Sequence, residues 1–212
     1  MTFRGWPSEA LEFFDGLEAD NSKTYWTAHL ELYEKQVREP MLALLAALEP
    51  EFGPGKIFRP YRDVRFSADK TPYKTHMGAW LSYGGYIQLS GDGLAAGSGM
   101  YQMAPDQLER YRRAVANDVV GAELERLIES IAAQRIDVVG HGSLKTAPRG
   151  YPKDHPRIDL LRHKGLTTWK DWEPAAWLGT AAAQKRIVEF LRASRPLREW
   201  LDRNVGPSTA ER

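Results

Sequence analysis

Hydrophobic positions recur at three- and four-residue spacing through the first fifty residues. Leu11, Phe13, Phe14 and Leu17 form a stripe that opens at Pro7-Ser8 and breaks at Asp20-Asn21-Ser22, which predicts a helix. Tyr25, Trp26, Leu30, Tyr33 and Val37 form a second stripe. Pro40 either kinks this helix or opens a third as its first residue, running through Leu42, Leu45 and Leu48. Pro50 and Gly53-Pro54-Gly55 close it.

From Lys56 to about Tyr101 the helical period gives way to Gly, aromatic and β-branched residues, the pattern of strands with short turns. Tyr83-Gly84-Gly85-Tyr86 reads as a two-residue hairpin loop that pairs Tyr83 with Tyr86, and a second turn falls within Gly91-Asp92-Gly93. This pairing fixes the faces. Trp80, Ile87, Leu89, Leu94, Ala96 and Met100 form a core face; Leu81, Tyr83, Tyr86, Gln88, Ala95, Gly97, Gly99 and Tyr101 form the other. Tyr86, Gln88, Gly97, Gly99 and Tyr101 are then the expected floor of a pocket, because small residues beside tyrosines leave room above them. The alternative is a helix packed closely on the glycines.

Pro105-Asp106 opens a further helical stretch, with Leu108, Tyr111 and Val115, then Leu124, Leu127, Ile128 and Ile131, interrupted around Asn117-Asp118. Residues 137 to 157 are loop-rich. A helix from Pro156 through Leu160 and Leu161 leads to a strand at Gly165 to Trp169. An amphipathic helix through Ile187, Val188, Phe190 and Leu191 and a short one around Leu197 to Trp200 close the chain. The expected architecture is a single α+β domain over residues 1–205, with helices packed on a mainly antiparallel sheet, and residues 206–212 as a flexible tail.

With 212 residues, 42% of them hydrophobic and 27% charged, the chain is large enough for a substantial core, which excludes a disordered or disulfide-scaffolded class. The absence of cysteine excludes thiolate nucleophiles, Cys-ligated zinc and iron–sulfur clusters. No stretch approaches the roughly 18 apolar residues of a membrane span, and no signal-type apolar segment opens the sequence. The expectation is a cytoplasmic protein without a membrane partner.

The net charge of +1 hides an asymmetry. Lys56 to His76 holds six basic and two acidic residues, and His141 to Lys164 repeats that count, so the remainder carries 17 basic and 24 acidic residues. Two short basic segments in an otherwise acidic chain suit a focused positive site, and the acidic remainder argues against nucleic acid as the partner.

The densest cluster is Arg59-Pro60-Tyr61-Arg62-Asp63-Val64-Arg65-Phe66, followed by Asp69-Lys70-Thr71-Pro72-Tyr73-Lys74. If residues 57 to 66 are extended, Arg59, Tyr61, Asp63 and Arg65 share one side and Phe58, Arg62, Val64 and Phe66 the other. Planar guanidinium donors suit a carboxylate, phosphate or sulfate group. Asp63 either orients the arginines or, with a raised pKa, acts as a general base. An internal Arg–Asp network that pins the Asp69–Tyr73 turn is the competing reading. In the second segment, Asp154-His155 precedes Pro156, where Asp154 can cap a helix and His155 can serve as acid or base. The spacings of His141, His155 and His163 match no metal-ligand pattern, so neither a metal nor a cofactor is expected.

The Arg59–Tyr73 pattern, with Gly55-Lys56-Ile57-Phe58 before it, resembles the signature of the bacterial domain of unknown function 2461 family. Gly5-Trp6-Pro7, Arg38-Glu39-Pro40-Met41-Leu42, Tyr73-Lys74-Thr75-His76, Met100-Tyr101-Gln102, Pro148-Arg149-Gly150-Tyr151, Asp154-His155-Pro156 and Leu160 to Lys164 support the resemblance. It implies an α+β single domain with the two basic segments as characteristic positions, and it supplies no reaction. After Lys164 the sequence departs from the common pattern.

Two functional classes follow. In the first, Arg59, Arg62, Arg65 and Lys70 hold an anionic small molecule, Lys145 and Arg162 close the site, and Asp63, Tyr73 or His155 moves protons, as a binding protein or an enzyme of group transfer or displacement. In the second, the same basic face is a non-catalytic module for an acidic protein segment or nucleic acid.

Overall fold

The computed structural model describes residues 2–65 and 67–209. The strands form a six-stranded antiparallel sheet whose order is Gly55–Ile57 (β1), His76–Leu81 (β2), Gly85–Ser90 (β3), Gly93–Met100 (β4), Gly165–Trp172 (β6) and Asp137–His141 (β5), accompanied by helices, so the fold is α+β. The chain divides into two compact units, one holding the residues up to Ala96 with Asp171–Glu189, the other holding Gly97–Lys170 with the chain from Phe190 on.

The first unit opens with α1 (Ser8–Ala19) and α2 (Lys23–Ala28), the latter capped by the Ser22 side chain, which accepts from the Tyr25 N–H. Gly16 lets them meet closely, since a Cβ there would lie 2.1 Å from the Tyr25 hydroxyl oxygen. A single helical turn, α3 (Leu30–Leu32), runs into a π-helical segment Tyr33–Arg38 and then α4 (Glu39–Phe52). Pro40 therefore sits in the first turn of α4, and the wider π turn before it accommodates a residue that has no N–H and crowds the preceding carbonyls. Pro50 does not end this helix; the chain leaves it at Gly53, whose φ of +75° suits glycine. Phe13, Phe14, Leu17, Trp26, Val37, Met41, Leu44 and Leu48 are buried, whereas Leu42, expected inside, is 42% exposed.

Strands β1 (Gly55–Ile57), β2 (His76–Leu81) and β3 (Gly85–Ser90) follow. The β2–β3 register pairs Leu81 with Gly85 and Trp80 with Tyr86, so the loop has three residues, Ser82 to Gly84. Gly84 takes the positive φ, +89°, and donates its N–H to the Leu81 carbonyl at 2.9 Å. This is a turn closed by one left-handed residue, in place of the two-residue loop the Gly-Gly pair suggests. The three-residue shift reverses the parity of β2. Leu81, 1% exposed, joins Met77, Ala79, Ile87 and Leu89 on the buried face, and Trp80, 39% exposed, moves to the open one. Helix α1 lies against β3 and α4 against β1 and β2.

Strand β4 (Gly93–Met100) begins in this unit with Leu94, Ala95 and Ala96 buried. A 3-10 turn, Ala176–Gly179, holds Trp6, whose N–H donates to the Leu178 carbonyl and whose indole donates to the Val37 carbonyl.

The second unit contains α5 (Pro105–Ala116) and α6 (Asp118–Ala132), separated by Asn117, whose side chain caps α6 by accepting from the N–H groups of Val119 and Val120. Strand β5 (Asp137–His141) lies where a loop is expected, and pairs with β6 (Gly165–Trp172), setting Asp137 against Trp169 and His141 against Gly165. Helix α7 (Ile158–Arg162) receives the Tyr111 hydroxyl on its Leu160 carbonyl at 3.0 Å. The last two predicted helices are one, α8 (Ala182–Asn204), continuous past Pro196. In this unit the buried Thr168 and Ser194 hydroxyls meet at 2.8 Å. Residues 206 to 209 of the expected tail are tied to α5: Gln107 donates to the Gly206 carbonyl, Arg110 to those of Val205 and Pro207, and Asp106 accepts from Ser208 and Thr209. Residues 210–212 lie outside the described residues.

Candidate functional site

The basic signature occupies the chain between β1 and β2. Lys56 and Ile57 lie in β1 and His76 opens β2; between them, Tyr61 and Tyr73 form an isolated antiparallel bridge, closed by Arg62 N–H to the Pro72 carbonyl and Lys74 N–H to the Pro60 carbonyl. The expected strand over residues 57 to 66 is thus replaced by a loop folded back on itself, and Phe66 lies outside the described residues. The loop is fastened to the helical layer at Tyr73. Its ring stacks on Trp26, and Asn21 takes both its N–H and its carbonyl at 3.0 Å.

Two of the arginines serve carboxylates of their own loop. The Arg62 guanidinium donates to Asp69 and to the Thr71 hydroxyl, and these contacts together with the Thr71 N–H hold the Asp69 carboxyl at a pKa of about 2. Arg65 grips Asp63 in a fork, Nε to Oδ1 at 2.9 Å and the second nitrogen to Oδ2 at 2.7 Å. That bond keeps Asp63 below the ordinary carboxylate range, the opposite of a general base. Lys70 donates to the Val64 carbonyl at 3.0 Å.

A different set of cations forms no ion pair with a carboxylate among the described residues, although Arg59 helps to lower the Asp63 pKa from a distance. Arg59 and Lys74 have no hydrogen bond or ion pair from their side chains among the described residues, and the Lys74 amine lies 5.5 Å from the centre of the Phe58 ring. Burial, and then the nearby Arg59 charge, lower the Lys74 pKa. His76 is lowered by burial and by Lys74. Lys74 and His76 line a cleft of about 430 Å³ with Asn21, Arg62, Thr71, Tyr73 and the acidic Glu18 and Asp69. Neither Lys74 nor His76 stands out in the sequence as a site residue; their signal is their position at the re-entry of the loop into the sheet.

The remaining expected residues are distributed as follows. Tyr73 is 5% exposed and its hydroxyl pKa is raised by burial, so it anchors the loop. Tyr86 donates its hydroxyl to Gln88 Oε1 at 2.9 Å, and both lie on the open face of β3. In the second unit, Gly97 faces the Trp169 ring, 2.8 Å from where a Cβ would sit, and Gly99 abuts the Leu166 carbonyl. The Trp169 ring from the neighbouring strand thus covers Gly97, and the positive φ of Gly99, +131°, turns its Cβ position toward the backbone of β6. Tyr101 is 71% exposed and its ring lies 4.5 Å from that of His141. His155 accepts the Arg157 N–H on Nδ1, a local turn contact. Arg162 pairs with Asp159, and Lys145 is exposed. The first basic segment belongs to one unit and the second to the other. Among the described residues no group of three acidic or histidine side chains could hold a metal ion, and no helix is long and apolar enough to cross a membrane.

The sequence profile of the domain of unknown function 2461 family, described as conserved hypothetical proteins, matches residues 9–200. The chain belongs to this family. No curated protein matches it. A solved conserved hypothetical protein from Pyrococcus furiosus aligns at 11% identity and a TM-score of 0.39, covering 81% of this chain and 98% of that one. Membership of the domain of unknown function 2461 family brings no assigned reaction with it.

Proposed function

We propose that the protein binds an anionic small molecule, one bearing a carboxylate, phosphate or sulfate group, at the cations around Lys74 in the first unit. The observation that supports this reading is the arrangement of Arg59, Lys74 and His76: the Lys74 charge is disfavoured by Arg59 and the His76 charge by Lys74, and none of the three side chains forms an ion pair among the described residues, although the Asp63 carboxylate lies within electrostatic reach of Arg59. Like charges held together are relieved by a bound anion. Arg62, which lines the same cleft, shapes it while its charge is spent on Asp69. The reading is one of binding. Asp63, Tyr73 and His155 are each committed to a local contact, so no proton-transfer step is assigned to them.

Thermal unfolding in phosphate, sulfate or acetate, against chloride at matched ionic strength, tests it. A ligand that binds only the folded state raises the midpoint in a saturable way. The expected result is saturable stabilisation lost in Lys74→Ala and Arg59→Ala. Equal midpoints in all anions would overturn the reading.

A further inference from the structure

The face of the first unit's sheet that turns away from α1 and α4 carries aromatic rings where an isolated protein gains nothing by exposing them. Lys56, Trp80 and Tyr86 are direct partners across β1, β2 and β3, so they stand in one row on one face. Phe58, two residues beyond Lys56, continues that face: its N–H donates to the Gly78 carbonyl and its ring centre lies 6.3 Å from that of Tyr86. Trp80 and Phe58 are 39% and 45% exposed. The Tyr86 hydroxyl lies over Gly78, whose missing side chain lets the ring lie low on the sheet; a Cβ there would be 2.6 Å from it. The row ends at Lys74, whose amine lies 5.5 Å from the centre of the Phe58 ring, with Arg59 near enough to lower its pKa. Flat rings thus lead directly to two cations that form no ion pair among the described residues, Lys74 and Arg59, with Asp63 the carboxylate within electrostatic reach of Arg59.

Each nucleobase offers a face for stacking and each linkage a phosphate, so an open antiparallel sheet bearing aromatic rings beside Lys and Arg is complementary to an unpaired strand. A duplex, its bases already stacked, has nothing to offer Trp80 or Phe58. At the other end of the sheet face, beyond Gln88 and Ser90, a second cleft of about 680 Å³ is lined by Asp92, Asp171 and Glu173. Those carboxylates repel phosphate and set a limit to the track. From this geometry we infer that the platform of Phe58, Trp80 and Tyr86 binds a short single-stranded nucleic acid, whose phosphates are taken by Lys56, Arg59 and Lys74. The inference rests on the anion site proposed above and widens its ligand from a small anion to the phosphates of a short strand, with the acidic balance of the rest of the chain confining that strand to this one face.

The test is fluorescence anisotropy with labelled oligo-uridylate and oligo-thymidylate of about eight nucleotides, a length within the range of single-strand sites, beside a duplex and a mononucleotide. The single strands are expected to bind and the duplex and mononucleotide to bind far more weakly. Trp80→Ala and Phe58→Ala are each expected to weaken binding on the order of tenfold, with Trp80→Phe retaining most of it. Three phosphate contacts predict a loss of roughly fifteen- to twentyfold for a fourfold rise in salt. A preference between uridylate and thymidylate would mark contacts to the 2′-hydroxyl or the C5 methyl, in which they differ, and equal affinity would mark stacking alone; either supports the platform. Single-strand binding unchanged by Trp80→Ala and Phe58→Ala, or a duplex bound equally well, would overturn it. So would concentration-dependent self-association abolished by Trp80→Ala, which would make this face a contact between copies of the chain. If phosphate stabilises the protein through Lys74 but no strand binds, the anion site stands and this inference fails; if neither binds, both fail.

Discussion

Tyr73 lies flat on Trp26, ring centres 4.4 Å apart and planes 5° from parallel, while Asn21 holds the Tyr73 N–H and carbonyl. One side chain from the α1–α2 junction thus replaces a strand partner for the end of the basic loop. Asn21→Ala leaves both backbone groups without their protein partner and should cost about 1–3 kcal/mol. Urea unfolding reads the loss, and hydrogen exchange should show faster opening at Arg62 and Lys74, whose N–H groups close the same bridge.

The two arginine–carboxylate contacts should differ in effect although both are ion pairs. Arg65 and Asp63 are neighbours in an exposed stretch, with the Arg65 side chain 77% exposed, so Arg65→Ala should leave the unfolding midpoint unchanged. Arg62 spans from one strand of the loop to Asp69 and Thr71 on the return, and its side chain is 30% exposed. Arg62→Ala should lower the midpoint, with Asp69→Asn doing the same and the double variant showing little further loss. Additive effects would mean the two residues do not act as a unit.

The sequence shows the helices and the helix–sheet division well because they depend on repeated patterns. Phe13, Phe14 and Leu17 repeat a helical period, and each is buried. The faces of β2 depend on one turn. Gly84 and Gly85 both permit positive φ, and sequence alone does not say that only Gly84 uses it; that choice exchanges Trp80 for Leu81 in the core. The basic signature stands out in the sequence as a dense cluster, yet the pairing of Arg62 with Asp69 and of Arg65 with Asp63 depends on how the loop doubles back at the Tyr61–Tyr73 bridge. Lys74 acquires its setting from Arg59, fifteen residues earlier, which no local pattern announces.

Gly140 should not tolerate a side chain. The His163 ring occupies its Cβ position, the nearest ring atom 2.1 Å away, and His163 Nδ1 meets the Ser143 hydroxyl at 2.6 Å. Gly140→Ala must displace the ring and break that contact, at about 1–3 kcal/mol by the usual cost of overpacking. Ser143→Ala, which removes the hydroxyl and leaves the ring in place, should cost less. Calorimetric unfolding of the two variants gives the order, and the reverse order would mean the ring moves aside freely.

Acid should weaken the fold in two separate windows. Burial holds His76, His141 and His163 below the ordinary histidine value of 6.5, with Lys74 adding to this at His76, and Asp159 opposing it at His163. Above that value the imidazoles are neutral in folded and unfolded chains alike and contribute no pH dependence. As pH falls below it the unfolded chain takes up protons first, so stability must decline. Asp69 behaves differently: its pKa falls from 3.8 to about 2 on folding, so its contribution is complete above 3.8 and disappears only as pH drops toward 2. The thermal midpoint should therefore fall between about pH 7 and 5.5, where carboxylates scarcely titrate, and fall again in strong acid. Replacing His141 with Gln should make the first decline shallower, His76 and His163 still contributing, and leave the second intact. A midpoint that rises as pH is lowered from 7 would show that these histidines gain charge partners in the folded protein instead of losing water.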